Sequence, residues 1–128
     1  MYELMGRNGL RNINMKEIKA YVRPTFLNSM IERLEEKGAK DITVIRVDAL
    51  GALADHEFDR WHFVRKYAEK YFTIAKLEIV CRDDQAKEFM ETIKEYGHTG
   101  EHGDGRVFIS NVEYAANITT GREGEAAL

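Results

Sequence analysis

The amino-acid sequence predicts an α+β protein with a split βαβ, ferredoxin-like fold. An apolar alternation typical of a strand is followed by an amphipathic helix and a second strand, and this order recurs in the second half of the chain. The length of 128 residues suits one domain with its own core. We therefore expect a four-stranded antiparallel sheet with two helices on one face.

The first half begins with a strand at residues 16–22 that ends before Pro24. Its apolar side chains alternate and so share one face: Ile18, Ala20 and Val22. A helix follows, because apolar residues recur at the spacing of one helical stripe: Leu27, Met30, Ile31 and Leu34. Thr25 or Asn28 is expected to cap the start of this helix, and Gly38 its end.

Three further strands are predicted, at residues 42–47, 74–81 and 106–114. Between the last two lies a second helical stripe, formed by Ala86, Phe89, Met90 and Ile93. Asp83 or Asp84 is expected to cap this helix, and Gly97 to end it. Since the strands carry apolar residues on both sides, self-association in a symmetric ring or dimer is expected to bury the sheet face opposite the helices.

The connection between the second and third strands, about residues 48–72, is unusually long. Loops of more than about 12–15 residues are uncommon and tend to be functional or disordered. This one is rich in large apolar side chains: Leu50, Leu53, Phe58, Trp61, Phe63, Tyr67 and Tyr71. Such a loop is expected to pack on its own domain, on a neighbouring subunit or on a partner protein, and the sequence leaves these three alternatives open.

Composition and charge exclude several classes of protein. The net charge of −3 provides no basic excess for neutralising phosphates, so nucleic acid is not an expected partner. No apolar run approaches the roughly 20 residues that span a bilayer, and the N-terminus lacks the apolar segment of a signal peptide. The single cysteine, Cys81, cannot form an internal disulfide and fits a reducing compartment. We therefore expect a cytoplasmic protein without direct membrane insertion.

The most informative motif is the Gly-rich loop at residues 99–106, Thr-Gly-Glu-His-Gly-Asp-Gly-Arg, which runs directly into an apolar strand. Glycines allow backbone N–H groups to converge on an anion, and Arg106 can add a planar fork of donors, so the loop is a candidate phosphate site. The alternative is a tight hairpin turn with a solvated arginine. The spacing alone does not decide between the two.

Several segments carry a resemblance to a known family: residues 15–20, Arg23-Pro24, and residues 41–44, 76–80, 99–109 and 120–128. Together they resemble the P-II signal-transduction family, the trimeric nitrogen and carbon regulators of bacteria, archaea and plastids. The resemblance covers about residues 15–128 except for the long loop. Residues 1–14 have no counterpart and are interpreted as an N-terminal extension, with a tag remnant or a misassigned start as the alternatives.

The resemblance implies a homotrimer that binds an adenine nucleotide (ADP, AMP or ATP) between its subunits. The Gly-Asp-Gly loop and the following cation would hold the phosphates, while the carboxylate in the loop would shape it or contact the ribose. The positions that match the family's nucleotide site are Thr43, Gly51, Glu78, Val80, Gly103, Asp104, Gly105 and Arg106. The long loop, residues 49–71, would dock onto a target protein such as a transporter, an enzyme or a regulator.

The chain departs from the family pattern at positions that normally assist phosphate and 2-oxoglutarate binding. Two usual arginines near the C-terminus correspond to Asn117 and Thr119, and a usual lysine corresponds to Ile74. The usual glutamine of the long loop falls near Ala52 and Leu53. Each missing cation removes a contact of about 1.5–3 kcal/mol. We therefore expect a divergent member that favours ADP, AMP or another adenine nucleotide over an ATP–magnesium–2-oxoglutarate complex.

The histidines support a second hypothesis, a P-II-like metal-binding protein linked to metal or ion homeostasis. Imidazoles beside carboxylates suit divalent zinc, copper or nickel. The candidate ligands are His56, His62, His98 and His102, although no single stretch has a strong ligand spacing. An enzyme is not expected, since the sequence contains no Ser–His–Asp set, no paired-carboxylate pattern and no P-loop.

Overall fold

The computed structural model describes residues 14–50 and 72–128, so most of residues 1–14 and of the long loop lies outside the described residues. The elements in chain order are β1 (Met15–Val22), α1 (Leu27–Glu36), β2 (Ile42–Ala49), β3 (Phe72–Arg82), α2 (Asp83–Gly97) and β4 (Gly105–Val112). The strands form one antiparallel sheet in the order β2-β3-β1-β4. This arrangement confirms the predicted ferredoxin-like fold.

The core forms between the two helices and one face of the sheet. In β1 and β3, alternate side chains point to this face, as the period of a strand requires. The buried ones are Ile18, Ala20, Val22, Ala75, Leu77, Ile79 and Cys81. The helices contribute Met30, Leu34, Ala86, Phe89 and Ile93. Burying each of the larger side chains stabilises the fold by roughly 1.5–3 kcal/mol, so this layer holds the strand ends and their loops in place.

The helices begin differently from the prediction. A 3-10 turn at Pro24–Phe26 precedes α1, and no side chain caps the helix, so neither Thr25 nor Asn28 is the cap. In α2 the N-cap position is Arg82, whose backbone N–H donates to the Gln85 side chain at 3.1 Å. The two aspartates expected to cap α2 lie in its first turn instead, where their charge favours the positive end of the helix dipole.

The helix ends agree better with the prediction. Gly38 follows α1 with a φ of +105°, a backbone conformation that favours glycine, and its N–H donates to the carbonyl of Glu35 at 3.0 Å. Gly97 is the last residue of α2. In the part of the chain that the structure describes, no helix is long and apolar enough to cross a membrane.

Two loops leave the sheet at the same end, the long connection between β2 and β3 and the Gly-rich loop. The register pairs Ala49 with Phe72, and pairs Val22 with both Ala75 and Gly105. The long connection therefore starts and finishes at the end of the sheet where the Gly-rich loop enters β4. β1 lies between the two loops and ends there as well.

The sheet face opposite the helices carries both apolar and charged side chains. Val80 and Phe108 are 39% and 52% exposed, and Tyr21 packs edge-on against Phe108 with ring centroids 6.3 Å apart. Lys76 Nζ lies 3.0 Å from Glu78 Oε2, and this hydrogen bond raises the pKa of the Lys76 ammonium group. The exposed apolar groups are consistent with the prediction that self-association covers this face.

Candidate functional site

Gly105 allows the Gly-rich loop to enter β4 in close contact with β1. Its φ is +110°, and a Cβ atom there would lie 1.7 Å from the carbonyl oxygen of Tyr21, so only glycine fits. Gly100 and Gly103 also have positive φ, of 89° and 90°. Backbone geometry accounts for these glycines, as the hairpin-turn alternative predicts. A phosphate site at this loop therefore depends on its polar groups.

The Asp104 carboxylate organises the loop from inside. It accepts hydrogen bonds from the backbone N–H groups of Thr99 and Gly100, at 2.8 and 2.9 Å, and from the Thr99 hydroxyl. Burial acts to raise the pKa of Asp104, but these hydrogen bonds and the charge of Arg23 outweigh it and lower the pKa below its usual value. Asp104 is thus ionised at neutral pH and shapes the loop, one of the two roles expected for it.

Arg23, to which the sequence assigned no role, holds the same loop from the end of β1. Its Nε donates to the carbonyl oxygen of Gly103 at 3.1 Å, and its Nη2 donates to the carbonyl oxygen of His102. Its Nη1 lies 3.6 Å from the Asp104 carboxylate and 3.4 Å from the Thr99 hydroxyl. The Arg23-Pro24 pair was part of the family resemblance, but no local pattern reveals a contact between residues 80 positions apart.

Arg106, the cation that follows the loop, is exposed at the start of β4 and is paired in register with Tyr21. Its side chain forms no hydrogen bond and no ion pair with any residue that the structure describes. Its guanidinium group is therefore available to an anion. Arginine keeps the positive charge of the lysine that the family usually has here, and it adds a bidentate donor geometry.

The other predicted residues lie in a separate cleft. Thr43 on β2 and Glu78 on β3 are register partners, and together with Val80 they line a cleft of about 300 Å³ whose other wall is the C-terminal tail, including Leu128. We call it the tail cleft. The Gly-rich loop borders a different groove, between α2 and β4. One chain therefore does not bring the two sets of predicted residues into one cleft, and Gly51 lies outside the described residues.

A turn near the C-terminus, residues 117–121, includes the two positions where the family usually has arginines. We call it the C-terminal turn. The Asn117 side chain accepts hydrogen bonds from the backbone N–H groups of Thr119 and Thr120, at 2.9 and 3.0 Å. It also donates to the carbonyl oxygen of Ala127 at 3.3 Å. Asn117 therefore joins the turn to the tail, and neither Asn117 nor Thr119 supplies a cation.

The histidines of the described residues do not assemble a metal site. His98 is largely exposed, with its Nδ1 atom 3.7 Å from the Asp104 carboxylate. The carbonyl oxygen of His102 accepts a hydrogen bond from Arg23. Within the described ranges, no group of three His, Cys, Asp or Glu residues could hold a metal ion. His56 and His62 lie outside these ranges. The metal hypothesis thus gains no support.

Known proteins resemble this chain along most of its length. The model of the nitrogen regulatory protein P-II family matches residues 15–122. The chain is 33% identical over 114 residues to the nitrogen regulatory protein P-II of Rhizobium meliloti strain 1021, a match that covers 89% of this chain and 100% of that protein. The nitrogen regulatory protein P-II of Azospirillum brasilense is 32% identical over the same length and coverage.

Solved structures share the fold as well as the sequence. The GlnK–ATP complex of B. subtilis superposes with a TM-score of 0.73 at 25% identity, covering 91% of this chain and 97% of that one. PII of Arabidopsis thaliana bound to citrate superposes with a TM-score of 0.71 at 28% identity, covering 89% of each chain. The family match includes β1 to β4 and the Gly-rich loop, so it agrees with the resemblance inferred from short segments.

Proposed function

Since the chain belongs to the nitrogen regulatory protein P-II family, whose members are signal-transduction regulators and not enzymes, we propose that it is a nucleotide sensor. Residues 15–128 bind an adenine nucleotide between the subunits of a homotrimer. The nucleotide controls how the long loop, residues 49–71, docks onto a target protein in the cytoplasm.

The observation that carries this proposal is the arrangement of charges in the Gly-rich loop. Arg106 has no partner among the described residues, so its positive charge is open to an anion. The neighbouring negative charge, on Asp104, is engaged inside the loop by N–H groups and a hydroxyl. A free guanidinium group beside a loop whose own carboxylate is already hydrogen-bonded suits the binding of a phosphate. B. subtilis GlnK, a structural relative, has been solved as an ATP complex.

The predicted residues form two sets, one in the tail cleft and one at the Gly-rich loop, which we call the half-sites. Their positions support binding between subunits. Thr43 belongs to the edge strand β2, whereas the Gly-rich loop enters the opposite edge strand, β4. With β3 and β1 between them, the two edges are separated by roughly 14 Å, at about 4.8 Å per strand. A ring in which β2 of one subunit meets β4 of the next would place the tail cleft and the Gly-rich loop on opposite sides of one nucleotide.

The missing cations determine the proposed nucleotide preference. Where the family resemblance leads us to expect two phosphate-clamping arginines, this chain has Asn117 and Thr119, so additional phosphates gain fewer charge-assisted contacts. Ile74 replaces a usual lysine and is only 5% exposed, so an acidic effector such as 2-oxoglutarate lacks a cation there. ADP or AMP is therefore the proposed ligand in preference to ATP with magnesium.

The sensing step follows from the position of the loops. The Gly-rich loop and both roots of the long loop lie at one end of the sheet. A nucleotide that contacts both loops binds one conformation of the long loop more tightly than another. The nucleotide thereby shifts the equilibrium between these conformations. The change in the free energy of that equilibrium is no larger than the difference between the two binding free energies.

Calorimetric titration of the purified protein with ATP, ADP and AMP, each with and without magnesium, tests this function. We expect micromolar binding of about one nucleotide per subunit, with ADP or AMP at least as tight as ATP. Light scattering on the same sample should give the mass of a trimer. If no nucleotide binds, the proposal is wrong and the glycines serve the loop conformation only. A clear preference for ATP with magnesium would contradict the proposed preference alone.

A further inference from the structure

We propose that Arg23 is a positioning residue of the phosphate site. By holding the carbonyl groups of His102 and Gly103, it points the backbone N–H groups of Gly103 and Asp104 toward the phosphate. This inference rests on the proposed nucleotide binding and assigns a role within that site. Arg23 acts through the backbone of the loop and is not itself a phosphate ligand.

The geometry begins with two consecutive peptide units. Arg23 Nε donates to the Gly103 carbonyl at 3.1 Å, and Nη2 donates to the His102 carbonyl. A trans peptide unit is planar, and its C=O and N–H bonds point in opposite directions. The carbonyl of His102 shares its plane with the N–H of Gly103, and the carbonyl of Gly103 shares its plane with the N–H of Asp104. Both N–H groups therefore point away from the Arg23 guanidinium.

These two N–H groups are suited to an external acceptor. The preceding N–H groups are used inside the loop: those of Thr99 and Gly100 donate to the Asp104 carboxylate, and that of Glu101 donates to the Thr99 hydroxyl at 3.1 Å. Outside the strand ladders, no hydrogen bond among the described residues uses the N–H of Gly103 or Asp104. Successive N–H groups on one side of a glycine turn form an anion-binding concavity.

The shape of arginine matters as much as its charge. The guanidinium group presents its donors in a rigid planar fork, so one side chain can fix two carbonyl groups at once. The third arm, Nη1, lies 3.6 Å from the Asp104 carboxylate, which offsets the positive charge. The side chain is only 17% exposed. A lysine would keep the charge but offers no planar fork, so it could not fix both peptide planes.

The test compares Arg23→Lys with the unchanged protein in calorimetric titrations with ADP and with adenosine. We expect the ADP affinity of Arg23→Lys to fall about tenfold or more, as expected for two misaligned hydrogen bonds to a phosphate. Adenosine, which has no phosphate, should bind as before. Arg33→Lys, on the exposed surface of α1, is the matched control and should bind ADP normally. Arg23→Gln serves as a second variant if Arg23→Lys does not fold.

Amide hydrogen exchange measured by NMR supplies a direct readout. In the unchanged protein, ADP should slow exchange at the N–H groups of Gly103 and Asp104, and this protection should be weaker in the variant. If Arg23→Lys binds ADP normally while Arg23→Gln does not, the charge matters and the geometry does not, so the inference is wrong. Equal losses for ADP and adenosine would also overturn it. If the unchanged protein binds no nucleotide, the proposed function fails and the inference fails with it.

Discussion

At the scale of single residues, a carboxylate beside a phosphate site repels the ligand unless neighbouring hydrogen-bond donors and cations offset its negative charge. Asp104 meets this condition, because two backbone N–H groups, the Thr99 hydroxyl and the Arg23 guanidinium surround its carboxylate. The same contacts make the loop conformation depend on the ionised form of Asp104. The charge of one carboxyl group is thereby linked to the geometry of the proposed phosphate site.

The substitution Asp104→Asn is expected to lower stability at neutral pH and to lose its effect in acid. The pKa of Asp104 is lower in the folded protein than in the unfolded chain, so ionisation adds stability above the unfolded value of about 3.9. This contribution is lost as the pH falls through the folded-state pKa. Urea unfolding at about pH 7 and about pH 3 measures the difference in free energy of unfolding between the two proteins, which should shrink in acid. A difference independent of pH would mean that the charge does not stabilise the loop.

Gly105→Ala and Gly121→Ala form a matched pair, since both glycines have positive φ, of 110° and 77°. At Gly121 a Cβ atom meets nothing within 4 Å, so the loss of stability is that of the strained backbone alone, about 1 kcal/mol. At Gly105 it meets the Tyr21 carbonyl, which adds a clash, and we expect a loss of roughly 2–5 kcal/mol. Urea unfolding measures both. Equal losses would show that the loop can move away from β1 without penalty.

At the scale of elements, the strands and helices could be predicted because each repeats its apolar residues at its own period. In β1, the predicted face of Ile18, Ala20 and Val22 is the buried one. The start of α1 was predicted poorly, because capping rules consider side chains only. Before α1, the N–H of Leu27 donates instead to the carbonyl of Pro24, within the 3-10 turn.

The candidate site could be predicted only where its residues are neighbours in sequence. The Gly-rich loop is recognisable because its glycines, its arginine and the following strand are contiguous. The contact of Arg23 with this loop depends on the strand order, which places β1 beside β4. The role of Asn117 depends on a tail that folds back to it through Ala127. Tertiary structure determines both, so spacing along the chain carries no signal for them.

Deleting residues 52–70 is expected to leave the fold and the oligomer intact while abolishing binding to the target. Ala49 and Phe72 are register partners, and Leu50, Gly51 and Tyr71 would remain to join them as a short hairpin loop. Circular dichroism and light scattering check the fold and the mass. Pull-down from an extract of the source organism compares the partners of the two proteins. If the shortened protein captures the same partners, the long loop is not the docking element.

At the scale of the whole molecule, the two faces of the sheet differ in what covers them. The helices bury one face, whereas the other exposes Val80 and Phe108 beside the paired charges of Lys76 and Glu78. A trimer that covers this second face and brings β2 of one subunit to β4 of the next would also unite the two half-sites, which one chain holds in separate clefts. Assembly and ligand binding would then depend on the same subunit contact.

Returning a cation to the C-terminal turn is expected to strengthen ATP binding, by different amounts at the two positions. Thr119→Arg adds the charge and keeps the turn, because the Asn117 side chain accepts from the backbone N–H of residue 119. A charge-assisted contact with phosphate contributes about 1.5–3 kcal/mol, so ATP affinity should rise roughly tenfold or more. Asn117→Arg adds the same charge but removes the hydrogen bonds to Thr119, Thr120 and Ala127, so its gain should be smaller.

Calorimetric titration of each variant with ATP and adenosine measures these gains. The increase should appear with ATP and be absent with adenosine, because the added guanidinium has no phosphate to contact there. One chain holds the two half-sites apart. An arginine in the C-terminal turn can therefore contact a phosphate only when the Gly-rich loop of a neighbouring subunit binds that phosphate. A gain confined to ATP therefore supports the site between subunits. Equal gains for both ligands would place the C-terminal turn away from the phosphates in the assembled protein.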